Sequence, residues 1–153
     1  MKLDEIDKKL LNILQQNAKL TTKEIAFRLE MSNTAIHERI KRLEREEVIS
    51  KYVALIDTEK INKNFLVFCH VKLIQHNKEH IDKFEKEILK LDEVLECIHV
   101  SGDYDYILKI YVSNMKEYRS FLINKLTTIK VIASTQSTFM INQVKNNTSI
   151  SLL

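Results

Sequence analysis

The chain has 153 residues, of which 44% are hydrophobic and 29% charged, and this composition excludes an intrinsically disordered protein. The formal net charge is only +3, so charge alone does not mark a nucleic-acid-binding protein. Apolar runs such as FLVF are far too short to cross a bilayer, and MKLDEIDKKL has acidic residues where a secretory signal needs an apolar segment, so we predict a cytoplasmic protein with no membrane partner.

The first 56 residues have helical periodicity. Asp4 is placed to cap a first helix, Thr21 and Glu24 have the spacing of a capping box for a second, and Ser32 can cap a third. The apolar stripes of the three helices are Ile6, Leu10, Ile13 and Leu14; Ile25, Ala26 and Leu29; and Ile36, Ile40 and Leu43. We predict three short helices around one small core.

The stretch VISKYVALIDTEKINKN (48–64) begins with strand-forming residues and ends in polar ones. It has the character of a β-linker between two domains. We therefore predict a small helical domain at 1–56, a linker at 57–64 and a second domain at 65–153.

From residue 65 onward, alternating and helical patterns follow each other. The predicted elements are strands at 65–74, 94–102, 104–112 and 135–144, and helices at 80–91 and after Asn114. The order βαββαβ is that of a ferredoxin-like sandwich, with two helices on one face of a four-stranded antiparallel sheet. The fold class is therefore α+β.

Both faces of the first of these strands are apolar. Leu66, Phe68 and Ile74 share one face, while Val67 and Val71 share the other. Helices can cover only one face, and a second copy of the chain is the simplest cover for the other. We expect at least a homodimer.

The second and third helices are joined by a short turn, as in a helix-turn-helix whose second helix enters the DNA major groove. The candidate DNA-reading residues are Asn33, Thr34, His37, Glu38 and Lys41, beginning at the cap Ser32. The candidate phosphate-binding residues are Arg39, Arg42, Arg45 and Lys51. Acidic residues nearly balance the basic ones here, so spacing and charge leave open an ordinary solvated face of a three-helix bundle.

The segment LDEIDKKLLNILQQNAKLTTKEIAFRLEMSNTAIHERIKRLEREEVISKYVALID resembles the N-terminal domain of the Lrp/AsnC family of bacterial and archaeal regulators. The match runs through Asp7, Ile13, Leu14, Ile25, Ala26, Leu29, Ser32, Arg39, Ile40, Leu43, Ile49 and Tyr52. The βαββαβ remainder resembles the family's effector-binding domain. The resemblance implies a winged helix-turn-helix joined to the sandwich domain, binding to double-stranded DNA, and assembly as dimers that often form octamers.

The chain departs from the family at three positions. Ala18, Glu30 and Glu47 stand where the family usually has glycine. A non-glycine residue in a left-handed conformation costs on the order of 1 kcal/mol, which a packed domain can tolerate. We therefore expect the motif to persist with altered turn detail.

Gly102 is the single glycine of the chain and lies between two predicted strands, where it could simply supply the positive φ of a hairpin. The loop SGDYDY also resembles the family's G-x-x-D loop at the effector pocket between subunits. The resemblance implies an amino-acid effector of unknown identity and no other cofactor. Asp105 would accept a hydrogen bond from the ammonium group of the effector. Hydrogen-bond donors of the loop and of the last strand would bind the effector's carboxylate. The candidate residues are Gly102, Asp103, Tyr104, Asp105, Thr135 and Ser137.

Scattered histidines leave alternative functions open. His70 and His99 could meet on adjacent strands, although no metal-ligand spacing is present and we predict no metal site. Siroheme decarboxylases pair the same two domains, so a tetrapyrrole-modifying enzyme is one alternative to a regulator. An architectural protein that wraps DNA is another. The leading interpretation is a regulator that is not an enzyme.

Overall fold

A computed structural model describes residues 2–152, which form two compact units. The first unit contains the chain up to Leu55 and also the segment from Val144 onward, while the second unit is Ile56–Gln143. The sequence pattern predicts a single domain for all residues after 64. The C-terminal tail (residues 144–152) instead joins the first unit, because Leu152 packs against its helical core. This return contact has no signature in the local sequence pattern.

The first unit contains three helices, α1 (Glu5–Gln16), α2 (Thr22–Leu29) and α3 (Asn33–Arg45). All three predicted caps are present: Asp4 and Thr21 each form a capping box, and the Ser32 hydroxyl accepts a hydrogen bond from the Ala35 N–H. The buried residues Leu10, Leu11, Ile25, Ala26, Ile36 and Leu43 form the core of this unit. The three-helix prediction is confirmed.

Helices α2 and α3 both end in a left-handed residue that is not glycine. Glu30 has φ 53° and Glu47 has φ 57°, whereas Ala18 is not among the residues with positive φ. The Met31 N–H donates to the Ala26 carbonyl after α2, and the Val48 N–H donates to the Leu43 carbonyl after α3. Each end is thus a Schellman motif, which normally carries glycine at this position.

The predicted β-linker differs from the structure. Within the described chain, residues 48–64 form no strand, and Val53, Leu55 and Ile56 are exposed. A strand needs a hydrogen-bonding partner, and strand propensity alone does not supply one.

The second unit has the predicted βαββαβ order. Its elements are β1 (Phe65–Leu73), α4 (Lys78–Ile88), β2 (Val94–His99), β3 (Tyr106–Val112), α5 (Met115–Asn124), a short 3-10 helix (Leu126–Thr128) and β4 (Ile132–Phe139). The sheet is antiparallel with strand order β2-β3-β1-β4, which is the ferredoxin-like arrangement. Strand β4 begins three residues earlier and ends five earlier than the predicted 135–144.

The core of this unit lies between the helices and one sheet face. Val67, Cys69 and Val71 of β1 are fully buried there, together with Phe84 of α4 and Phe121 of α5. No helix among residues 2–152 is long and apolar enough to span a membrane.

The opposite face, here called the outer sheet face, is apolar only in part. Leu66 is buried and Phe68 half-buried, but His70 and Lys72 follow them on the same side of β1. Lys109 on β3 pairs with Glu96 on β2 at 2.7 Å. Ile107, paired with His70, and Ile98, paired with Ile107, lie on this face as well, so apolar and polar residues are interspersed across it.

One expectation from the sequence fails in this sheet. His70 and His99 do not meet, because β3 lies between β1 and β2. Cys69 is buried in the core, whereas Cys97 on the edge strand β2 is exposed.

Candidate functional site

The N-terminal half of α3 presents polar side chains to solvent. Asn33, Thr34 and His37 are exposed and, with Thr22 of α2, border a shallow depression of about 200 Å³. Their backbone is fixed by the Ser32 cap and by the buried stripe on the other side of α3. The structure thus brings these candidate DNA-reading residues together on one rigid surface. Glu38 and Lys41, one turn further on, are also exposed.

Two of the candidate phosphate-binding arginines are held by carboxylates at the start of α1. Asp7 is only 1% exposed, and its oxygens accept hydrogen bonds from Arg42 Nη2 at 2.7 and 2.6 Å. Arg39 Nη1 donates to Asp7 and Asp4 at 2.7 Å each. The Asp4 hydrogen bond raises the pKa of Arg39. Sequence reasoning missed this network, since its partners are 32 to 35 residues apart.

The other candidate DNA-contacting cations, Arg45, Lys41 and Lys51, are exposed. Arg45 is 72% exposed and contacts only the neighbouring Glu46, at 3.3 Å, among the ion pairs of the described residues. Lys41 lies 3.7 Å from Glu44 and is also exposed, as is Lys51. These side chains therefore have fewer internal contacts than Arg39 and Arg42.

Gly102 lies in the loop between β2 and β3 with φ +123°, a conformation that favours glycine. A side chain at this position would meet no described atom within 4 Å. Within one chain the glycine is therefore required by its turn and not by close packing. Asp103 beside it is exposed.

Asp105 closes the β1–β3 pairing with both its backbone and its side chain. Its N–H donates to the Val71 carbonyl at 2.9 Å, while Oδ2 accepts from the Leu73 N–H at 2.7 Å. Oδ1 lies 2.8 Å from His76 Nδ1. Burial acts to raise the pKa of Asp105, but the Leu73 N–H and His76 outweigh it, so the pKa is lowered. His76 is a contact that sequence reasoning missed.

The other candidate effector residues lie on different faces of the sheet. The Tyr104 hydroxyl donates to Gln136, and its ring packs edge-on against His70 on the outer sheet face. Ser137 is paired with Cys69 in the sheet and shares a hydrogen bond with the Tyr118 hydroxyl at 2.5 Å, facing the helices. Thr135 has the same parity as Ser137. Thr135 and Ser137 therefore face the helices, whereas Tyr104 lies on the outer sheet face.

Two protein-family models match this chain, one over each unit. The Lrp/AsnC ligand binding domain model matches residues 66–150, and the AsnC-type helix-turn-helix domain model matches residues 3–44. The chain belongs to the Lrp/AsnC family. The resemblance noted in the sequence is thereby confirmed over both units.

Curated Lrp/AsnC relatives match nearly the whole chain. A leucine-responsive regulatory protein of Haemophilus influenzae is 36% identical, covering 94% of this chain and 86% of the relative. A Bkd operon transcriptional regulator of Pseudomonas aeruginosa is 33% identical, covering 93% of each. These names are those of regulators and lend no support to a tetrapyrrole enzyme.

Solved Lrp/AsnC structures share the fold. A Neisseria meningitidis transcriptional regulator in complex with L-methionine has a TM-score of 0.93 at 30% identity, covering 97% of this chain and 96% of that one. An AsnC family regulator of Agrobacterium tumefaciens has a TM-score of 0.92 at 31% identity, with the same coverage. Among residues 2–152 of the present chain, no group of three or more histidine, cysteine or acidic side chains could hold a metal ion.

Proposed function

We propose that this Lrp/AsnC protein regulates transcription by placing α3 in the major groove of its operator. The observation that carries the proposal is the exposed polar surface of Asn33, Thr34 and His37. This surface lies on a helix that is capped at its N-terminus and whose opposite face is buried in the core. Polar groups near the N-terminus of such a helix are within reach of base edges. Glu38 and Lys41 extend the same surface.

The proposed phosphate contacts divide into two groups. Arg45 and Lys51 are exposed and would bind the DNA backbone directly. Arg39 and Arg42 are committed to Asp7, and we assign to them chiefly the positioning of α3 against α1. A phosphate contact by Arg42 would use the part of its side chain that remains accessible, which is 39%.

We further propose that an amino acid is the effector and that it binds near the Gly102 loop. The loop offers the Asp105 carboxylate for an ammonium group, and the loop amides, Thr135 and Ser137 for a carboxylate. Within one chain the Asp105 carboxylate already binds the Leu73 N–H and His76, and the Ser137 hydroxyl is hydrogen-bonded to Tyr118, so we place the site where a second subunit adds further groups. L-methionine is the first probe to test, because the Neisseria relative was solved in complex with it.

One experiment tests DNA binding and effector response together. Genomic fragments are selected on the purified protein at physiological salt, with and without L-methionine and then with pooled amino acids. We expect discrete enriched sites whose occupancy changes with one amino acid. Extended protection without preferred sites would instead indicate a DNA-wrapping protein.

A further inference from the structure

A groove of about 650 Å³ crosses the first unit beside α1. Its apolar walls come from α1, from a residue just before the α1 cap and from the segment after α3: Leu3, Leu11, Leu14, Val48, Val53 and Leu55. Of the DNA contacts proposed above, Lys51 alone lines this groove. The C-terminal tail lies against it and contributes Thr148, Ile150 and Leu152.

Gln15 of α1 holds the tail by its main chain. Gln15 Oε1 accepts from the Ile150 N–H at 2.8 Å, and Nε2 donates to the Ile150 carbonyl at 3.0 Å. A neighbouring β-strand would exchange the same pair of bonds with this residue. The side-chain amide therefore substitutes for a strand partner.

The tail contacts the groove at every second residue. Thr148, Ile150 and Leu152 line it, which is the period of an extended peptide. Main-chain hydrogen bonds combined with alternate side chains are the usual means of binding an extended peptide. Leu152 packs against the helical core, but Ile150 remains 72% exposed, so the tail is held at the surface.

We propose that the α1 side of this groove is a docking site for an extended peptide with alternating apolar side chains, and that the chain's own C-terminal tail binds there as a releasable strap and forms one wall of the groove. The tail continues from β4, so the strap is a second covalent connection between the two units, besides the segment after α3. Its release would open the apolar groove and loosen α1. This proposal does not depend on the identity of the operator or the effector.

The first test uses a variant that ends at residue 146 and a fluorescein-labelled peptide NTSISLL, the sequence of 147–153. We expect the peptide to bind the truncated protein and not the full chain, whose groove is occupied. A peptide with Ile150→Asp and Leu152→Asp should not bind. Equal binding to both proteins, or binding to neither, would overturn the proposal.

The second test uses the full chain, so it stands even if the truncated variant does not fold. In Gln15→Ala, the Ile150 amide should lose its protection from hydrogen exchange, and the Tm of the first unit should fall by about 4–8 °C for a loss equivalent to about 1 kcal/mol. Lys9→Ala changes an exposed residue of α1 that does not line the groove, and should alter neither. Unchanged exchange of Ile150 in Gln15→Ala would show that the clamp does not hold the tail.

Discussion

At the residue scale, two arginines one turn apart on α3 have different environments. Arg42 binds the buried Asp7 through both carboxylate oxygens, whereas Arg45 is largely exposed. Removal of one partner of a buried charged pair leaves the other without its hydrogen bonds. Removal of an exposed cation should leave the fold unchanged and should remove only the proposed DNA contact.

We therefore predict opposite results for Arg42→Ala and Arg45→Ala. Arg42→Ala should lower the free energy of unfolding by about 1–3 kcal/mol, because the buried Asp7 then keeps only its hydrogen bonds from Arg39 and from the Asp4 N–H. Arg45→Ala should leave unfolding unchanged and reduce the slope of log K against log salt by about 0.9 for the lost phosphate contact. Urea denaturation measures the change in unfolding free energy. DNA titrations at salt concentrations from about 50 to about 200 mM measure the change in slope. An unchanged salt slope in Arg45→Ala would remove Arg45 from the DNA contacts.

Asp105 combines a structural bond with a proposed ligand contact. In Asp105→Asn the amide oxygen can still accept from the Leu73 N–H, so circular dichroism should show an intact fold. The negative charge is lost, and affinity for an amino-acid effector should fall roughly 10- to 150-fold in calorimetric titration, the equivalent of about 1.5–3 kcal/mol. Unchanged affinity would assign Asp105 to the loop structure alone.

The lowered pKa of Asp105 also predicts a pH effect on stability. A carboxylate whose folded-state pKa lies below its ordinary value of 3.8 stabilises the fold above that pH and loses this contribution as the pH falls through the folded value. Asp105→Asn has no such group. Its unfolding free energy should therefore decline less than that of the unchanged protein on acidification below about pH 4, as measured by urea denaturation.

At the element scale, α2 and α3 are terminated by Schellman motifs with glutamate in the left-handed position. Glycine adopts this conformation without steric cost. We predict that Glu30→Gly raises the free energy of unfolding by up to about 1 kcal/mol. Glu46→Gly is the matched control: Glu46 has φ −84°, so glycine there should relieve no strain and should destabilise by about 0.5–1 kcal/mol. Equal effects of both changes in urea denaturation would contradict the strain argument.

At the scale of the whole molecule, the outer sheet face supports the expectation of a homodimer. Leu66 and Phe68 on β1 and the paired Ile98 and Ile107 are apolar residues that a second copy could cover, and Lys109 beside Phe68 is paired with Glu96. Paired helix-turn-helix units would bind half-sites about 34–36 Å apart, or multiples of that distance. Pseudo-palindromic operators should result.

We predict that sedimentation equilibrium at micromolar concentration detects species heavier than the 18.0 kDa monomer. Phe68→Lys should shift the population toward monomer, because it places a charge at the centre of this face. Leu89→Lys, at the end of α4, changes an exposed leucine away from the outer face and should leave assembly unchanged. A monomer alone for the unmodified chain would reject the dimer.

The sequence by itself determined the elements whose stabilising bonds are local. The caps at Asp4, Thr21 and Ser32 join residues three apart, and the Gly102 turn needs only its own φ. Apolar periodicity likewise determined the βαββαβ order, because each helix or strand must bury one face. The residue motifs were enough to indicate the family and to predict a polar, exposed face on α3.

Only the tertiary structure decided the contacts between distant residues. The pairing of Asp7 with Arg42 and the clamp of Gln15 on Ile150 join residues 35 and 135 positions apart, so no local pattern records them. The strand order that separates His70 from His99 is likewise a property of the whole sheet. Such contacts form because the complete set of buried faces packs best in one arrangement, and that arrangement commits Arg42 to the fold while leaving Arg45 exposed.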